Sequence, residues 1–321
     1  MASFPQAFLM RSFYRRSFVA FLSLSLMCCT ADPDSDEAYY TPSLVRQLID
    51  INTPESLMMA SMMVDLEWVR QNDPSIELPS ADALHQEALR LAPNDEMVVS
   101  LMGRHCEASA PQSDPVVCNA EWAEKLRDLN PDNGFYWASL AHYQLAGGNQ
   151  DAALESYRRA SSAPHFYIGW GAYIYRLSMA LDEVLPLEQT YSVAFIVGAL
   201  ATHLPAFQDF TKTCRAKVDD PRWQKACLEL GESMEKNAQT LIARTMGFPL
   251  QRIAYEAVDD DEGLSAVNAR KEAFKTIVQL QNDSYECRSE DPEWIDEWLE
   301  SMRDYDEMET MRRMSEVEAG C

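Results

Sequence analysis

Apolar residues recur every three or four positions along most of the chain, which is the period of an amphipathic α-helix. Two such patterns flank a Gly147-Gly148-Asn149 turn in residues 133–164 and predict a helix–turn–helix unit. Other segments with the same period predict helices at 43–70, 80–92, 95–106, 119–130, 220–246, 264–282, 291–302 and 305–319. The uncharged stretch 189–208 predicts a buried central helix. Only 11 of 321 residues are glycine, too few for a fold rich in hairpin turns. The sequence therefore predicts an all-α protein.

Residues 133–164 also have the length and the key positions of a known repeat. The matching positions are Trp137, Leu140, Ala141, Gly148, Ala153, Tyr157 and Ala160. The segment resembles a tetratricopeptide repeat, from which it departs at Gln144 and by the early position of Pro164. Pro93 and Pro131 are 38 residues apart, and Pro131 and Pro164 are 33 apart, near the repeat period of about 34. The resemblance covers about residues 50–165, with one good, one modified and one partial repeat.

This resemblance implies a binding surface, because the first helix of each tetratricopeptide repeat lines a concave groove that holds partner segments. Carried over by register, six residues of this chain fall on that surface; we call them the groove residues. They are Met97, Ser100, Arg104, Phe135, Ala138 and His142. An aromatic, a methionine and an arginine are suitable anchors for an extended segment. The alternative is that later helices cover this face and make it the junction with the rest of the chain.

The first 31 residues have the pattern of an export signal. Three arginines precede an apolar run over residues 17–27, which at 11 residues is too short to span a membrane. Two modes of processing remain open: lipid attachment at Cys29, or cleavage after Ala31. Residues 32–43 are polar and predict a linker. The sequence thus predicts a protein of the bacterial cell envelope, on the periplasmic side, either lipid-anchored or soluble in the periplasm.

The cysteines agree with export, since an even number in an exported protein predicts disulfides. Proximity in the sequence favours the pairs Cys106–Cys118, Cys214–Cys227 and Cys287–Cys321. Residues 44–165 are predicted to form the repeat array. Residues 166–321 are predicted to form a second helical domain with an acidic C-terminal tail.

The net charge and the positions of the reactive residues exclude several classes of function. A net charge of −24 repels phosphate backbones, which argues against nucleic acid as a partner and leaves a lipid anchor as the only expected membrane contact. The histidines show no catalytic or metal-binding spacing, so we expect no cofactor or metal. A methionine cluster on one helix and the aromatic stretch 166–175 are attributed to core packing rather than to copper or ligand binding. The methionines are Met58, Met59, Met62 and Met63.

These observations favour a non-enzymatic scaffold or adaptor that holds another envelope protein, whose identity the sequence does not specify. Two alternatives stay open. One is an enzyme that acts on cell-wall or polysaccharide material, with its site in the C-terminal half. The other is a carrier of a small ligand or a metal.

Overall fold

The computed structural model describes residues 41–64, 76–109, 121–185, 196–197, 199–200, 207–288, 291–304 and 307–316. Within these ranges the chain forms fourteen α-helices and no β-strand, which confirms the all-α prediction. The helices of the first half are α1 (Pro42–Ile51), α2 (Pro54–Val64), α3 (Ala81–Leu91), α4 (Glu96–Ser109), α5 (Glu121–Leu129), α6 (Gly134–Ala146) and α7 (Gln150–Ser162). Those of the second half are α8 (Trp170–Asp182), α9 (Phe207–Lys217), α10 (Pro221–Asn237), α11 (Leu241–Glu256), α12 (Asp261–Arg288), α13 (Pro292–Asp304) and α14 (Glu307–Glu316).

Most helices pack against their neighbours in sequence. From α1 to α7 each described helix contacts the next one, and α7 then contacts α10, followed by α11 and α12. Packing of each unit on its sequence neighbours is the arrangement that helical repeat proteins use. The series of consecutive neighbours therefore runs through residue 165 rather than ending there.

Helices α8 and α9 are exceptions to this pattern, because they also pack against helices that are distant in sequence. Helix α8 packs against α2 and α13, which are distant in sequence, and α9 packs against α6, α10 and α11. At the C-terminus, α13 contacts α8 and α14, while α14 also contacts α12. Helices α8 and α9 thus connect the two halves of the series.

Two predicted helices are each divided into two by a local stop signal. The segment 43–70 breaks at Asn52, which has a left-handed backbone (φ 59°) and ends α1, before Pro54 begins α2. The segment 220–246 breaks after α10, and the Thr240 side chain then caps α11 by accepting from the backbone N–H of Ala243. Ser80 caps α3 as predicted, since its hydroxyl accepts from the Ala83 N–H. In both divided segments a cap overrode a continuous apolar pattern.

The larger of two hydrophobic clusters among the described residues extends from Leu44 in α1 to Met302 in α13, and a small second cluster joins α11 and α12. The two halves of the chain therefore share the larger cluster across the predicted domain boundary at residue 165. Helices α10 and α11 cross closely at Gly231 and Gly247. A Cβ atom at Gly247 would lie 2.5 Å from the Gly231 carbonyl oxygen, so the backbones approach closely only because both side chains are absent.

A short extended segment ties the two halves together between α7 and α8. His165 accepts a backbone hydrogen bond from Gly134 (2.9 Å), and Phe166 exchanges backbone bonds with Asn237 and Gln239 (3.2 and 3.0 Å). The buried Asn133 side chain donates to the carbonyl of Tyr167 and accepts from its N–H. This segment satisfies backbone groups at the start of α6 and in the turn between α10 and α11.

Several predictions lie outside the described residues. These are the export signal, Cys29, most of the linker, Cys118, Cys321, His203, the side chain of Cys287 and most of the helix predicted at 189–208. Among the helices that the structure describes, none has both the length and the apolar character needed to span a bilayer.

Candidate functional site

The groove residues do not line an open surface. Five of the six are buried, and Arg104 is only 3% exposed. His142 alone is partly exposed; its Nε2 lies 4.0 Å from a carboxylate oxygen of Asp209. The prediction of an accessible groove is therefore corrected, and the alternative that later helices cover this face describes the structure.

The covering contacts come from the chain's own α8 and α9 regions. Arg104 donates a hydrogen bond from Nη2 to the carbonyl of Ile168, and its guanidinium carbon lies 5.4 Å from the centre of the Tyr173 ring. Phe135 packs against Phe207 and Phe210, with ring centres 5.8 and 6.1 Å apart. The face that a partner segment would occupy in a repeat array is filled here by the same polypeptide.

Arg104 is the most unusual group on this face. Its Nε and Nη1 have no hydrogen-bond partner among the described residues, and none of the described ion pairs includes it. A guanidinium keeps its charge at neutral pH and carries five N–H donors. Burying such a charge without an opposite charge is costly.

The polar groups nearest to Arg104 are neutral hydroxyls and one carboxylate, Glu96, which already accepts hydrogen bonds. The Tyr136 hydroxyl donates to Glu96 at 2.6 Å, and Asn130 also approaches that carboxylate. Glu96 is eight residues before Arg104 on α4, roughly 12 Å along the helix axis. The Tyr173 hydroxyl lies close enough to the Ser100 and Tyr136 hydroxyls to affect its pKa by hydrogen bonding, but its geometry falls short of a full hydrogen bond. The carboxylate of Glu96 therefore accepts hydrogen bonds from Tyr136 and Asn130 rather than from Arg104.

Burial controls the titration of these phenols. The pKa of Tyr136 is raised well above its ordinary value, mainly because burial disfavours the phenolate. Burial also raises the pKa of Tyr173, and the neighbouring Arg104 charge opposes this only in part. The pKa of Tyr167 is raised for the same main reason. All three phenols therefore stay neutral at physiological pH and supply no negative charge to Arg104.

A second arginine lies farther along the contact between α4 and α8, and it is fully paired. Arg176 of α8 donates from Nη1 and Nη2 to the two carboxylate oxygens of Asp95 at 3.1 and 2.9 Å, and from Nε to Glu55 at 3.1 Å. Asp95 in turn accepts from the N–H of Val98 and caps α4. This ion-pair group joins α2, the start of α4, and α8.

A buried histidine pair links α2, α3 and α4. The rings of His85 and His105 stack with centres 4.6 Å apart, and His105 Nε2 lies 2.8 Å from an oxygen of Asp82. His85 Nδ1 lies 2.8 Å from the Ala81 carbonyl, and Ser61 is 3.4 Å from the other ring nitrogen. Stacked rings direct their nitrogens to separate partners rather than to a common ion. Among the described residues no group of three or more His, Cys, Asp or Glu is placed to hold a metal.

Two other sets of residues belong to the core. The four methionines of α2 are all buried within it. Three members of the aromatic stretch, Phe166, Trp170 and Tyr173, are buried as well. Core packing, the interpretation favoured from the sequence, describes both sets.

One predicted disulfide is present in full. Cys214 of α9 is bonded to Cys227 of α10, with Cα atoms 5.9 Å apart. Cys106 is also disulfide-bonded. Its predicted partner, Cys118, and the side chains of the predicted pair Cys287–Cys321 lie outside the described residues.

An open depression of about 290 Å³ lies beside α9. It is lined by Leu145, Gln150, Lys212, Thr213, Ala216 and Lys217. Lys212 is already paired with Asp209 at 2.7 Å. No buried polar group of this lining points to a particular ligand.

Comparison with protein-family models, curated proteins and solved structures gives no match for this chain. Its function must therefore be argued from the site itself.

Sequence reasoning selected Arg104 as one of six groove residues but missed its surroundings. Tyr136 and Tyr173 were not selected, because their ring burial and their distance from Arg104 along the chain carry no local signal. The partners Glu55 and Arg176 are separated by 121 residues, and no short-range pattern connects them.

Proposed function

We propose that the protein is an exported, tetratricopeptide-like scaffold that holds another protein of the bacterial cell envelope. The observation that carries this proposal is the consecutive packing of α1–α7 and α10–α12, each on its neighbour in the series. Repeat proteins bind their partners along the extended surfaces that such series form, most often the concave one. The resemblance of residues 133–164 to a tetratricopeptide repeat supports the same interpretation.

Because the groove residues are covered, the partner binds the outer surface of the series. Two of the exposed large apolar side chains lie at its C-terminal end: Val258 after α11 is 56% exposed, and Ile277 on α12 is 46% exposed. Exposed apolar side chains on a surface rich in charge are suitable contact points for a protein partner.

Site-specific photo-crosslinking in living cells tests the binding surface. A photoreactive residue is placed at Val258, at Ile277, and at Arg159, an exposed polar position on α7. We expect a discrete protein adduct at Val258 or Ile277 and a weaker one, or none, at Arg159. If the three variants fold and are exported but none yields a protein adduct, the scaffold proposal is wrong.

Export and anchoring are tested separately. Export to an oxidising compartment is supported by the Cys214–Cys227 disulfide and by the bonded Cys106. We expect protein taken directly from cells to resist thiol alkylation at Cys214 and Cys227 until a reductant is added. A Cys29→Ser variant distinguishes the two modes of processing, because it loses membrane association only if that cysteine carries the lipid. Free thiols at Cys214 and Cys227 in freshly lysed cells would argue against export.

A further inference from the structure

The buried guanidinium of Arg104 is a cation without a described counter-charge, in a chain that otherwise carries a large excess of acid. The chain has 51 acidic and 27 basic residues. Arg104 is nevertheless 3% exposed, with two nitrogens that have no hydrogen-bond partner among the described residues. With carboxylates so abundant, a buried arginine left unpaired needs another source of negative charge.

The groups in direct contact with Arg104 are electrically neutral. They are the Ile168 carbonyl, which accepts one hydrogen bond, and the Tyr173 ring, which lies against the guanidinium. The charge of Glu96 acts on the same Tyr173 phenol, but Glu96 makes no described ion pair with Arg104. A cation–π contact and one carbonyl bond offset only part of the cost of removing a guanidinium from water.

We propose that Arg104 binds a small inorganic anion, of the size of chloride, between α4 and the start of α8. The anion accepts from the free guanidinium N–H groups and provides the missing negative charge. A compact ion is favoured over an organic ligand because Ser100, Tyr136 and Tyr173, which belong to the same cluster, are themselves buried. The proposal is independent of the proposed scaffold function.

Such a site links folding to anion concentration, because the folded state binds the ion and the unfolded chain does not. For one site, each tenfold increase in chloride above the dissociation constant raises the folded-to-unfolded ratio about tenfold. The surface ion pairs of the chain respond to ionic strength instead, so ionic strength must be held constant.

The experiment measures urea unfolding of the purified mature protein while chloride replaces gluconate, a bulky organic anion, at constant ionic strength. Three proteins are compared: the wild type, Arg104→Met, and Arg176→Met as the matched control, since Arg176 already has two carboxylate partners. We expect chloride to stabilise the wild type and Arg176→Met to the same degree and to leave Arg104→Met unaffected. An equal response in all three proteins, or no response in the wild type, overturns the proposal and leaves water as the partner of Arg104.

A second measurement does not depend on the variants. Wild-type crystals grown with bromide in place of chloride are examined by anomalous scattering. We expect a bromide peak within hydrogen-bonding distance of the Arg104 guanidinium. Bromide at surface sites only, or a carboxylate of the chain in contact with Arg104, would overturn the proposal even if Arg104→Met fails to fold.

Discussion

The contact between α4 and α8 contains two arginines whose charges are accommodated in opposite ways: one is partly exposed and paired, and the other is buried without a described ion pair. Arg176 has a side chain 32% exposed and is bonded to Asp95 and Glu55. Arg104 is almost completely buried and is surrounded by neutral groups. The two helices run antiparallel, because Asp95 at the start of α4 meets Arg176, while Arg104, later in α4, meets Tyr173 at the start of α8.

This difference shows how burial and pairing depend on each other. At the Arg176 end water still reaches the charges, so an excess of one carboxylate over the single guanidinium is tolerated. At the Arg104 end water is excluded, and the neighbours available in the fold are phenols and carbonyls. The ion pairs of Arg176 therefore stabilise the contact between α4 and α8. The buried charge of Arg104 lacks a described counter-charge, which is the basis for the anion proposed above.

Raising the pH should weaken the Arg104 end most strongly. Tyr136, Tyr167 and Tyr173 have raised pKa values in the folded protein because burial favours their neutral forms. Their contribution to stability is therefore fully present below the unfolded pKa of about 10 and is lost as the pH rises above it. A phenol that stays neutral in the folded protein contributes a loss of about 1.4 kcal/mol per pH unit, or about 3 kcal/mol for Tyr136 and Tyr167 together at about pH 11.

Urea unfolding between about pH 9 and about pH 11, followed together with phenolate absorbance, checks this prediction. Tyr173→Phe should reduce the pH dependence, since one of the buried phenols is removed, but should not abolish it, because Tyr136, Tyr167 and the buried Tyr157 also have raised pKa values. If these phenols ionise while the protein is still folded, the assigned burial is incorrect.

Removing the paired arginine is the next largest expected effect. Arg176→Met leaves Asp95 and Glu55 close together without a cation, and should lower the free energy of unfolding by about 1–3 kcal/mol. The matched control is Arg159→Met, because Arg159 pairs with Glu155 on the exposed face of α7 at 3.1 Å. This control should change stability by less than about 0.5 kcal/mol. If both variants lose the same free energy of unfolding in urea, the ion pairs of Arg176 stabilise the protein no more than an exposed surface pair does.

The substitutions Tyr136→Phe and Tyr173→Phe compare a hydroxyl that donates a short hydrogen bond to a carboxylate with one that makes no hydrogen bond of full geometry. Tyr136→Phe removes the donor to Glu96 and should cost about 1–2 kcal/mol, because a partly buried carboxylate loses a short hydrogen bond from a buried hydroxyl. The measurement is again urea unfolding, at neutral pH and in gluconate. Tyr136→Phe as stable as the wild type would show that Glu96 finds another donor.

The smallest effect is expected for Tyr173→Phe under the same conditions. Its hydroxyl makes no hydrogen bond of full geometry and lies beside the neutral hydroxyls of Ser100 and Tyr136, so its loss should change the free energy of unfolding by less than about 0.5 kcal/mol. A loss as large as that of Tyr136→Phe would show that the Tyr173 hydroxyl is bonded in solution.

Much of the secondary structure could be predicted because it depends on neighbours in sequence. The helices α3, α4, α6 and α7 were predicted from their amphipathic patterns, and Ser80 was identified correctly as a cap. Helices α8 and α9 were missed. α8 is buried on several sides, and its residues therefore lack the clear polar stripe that marks a surface helix.

The sequence by itself determined the all-α class, most of the helices of the first half of the chain, and the pairing of Cys214 with Cys227. These features follow from apolar period, capping residues and short separations along the chain. Only the tertiary structure decided that α8 and α9 cover the groove residues, and that Arg176 meets two carboxylates while Arg104 meets none among the described residues. The physical reason is that such contacts join residues many positions apart, so burial and pairing depend on how whole helices pack.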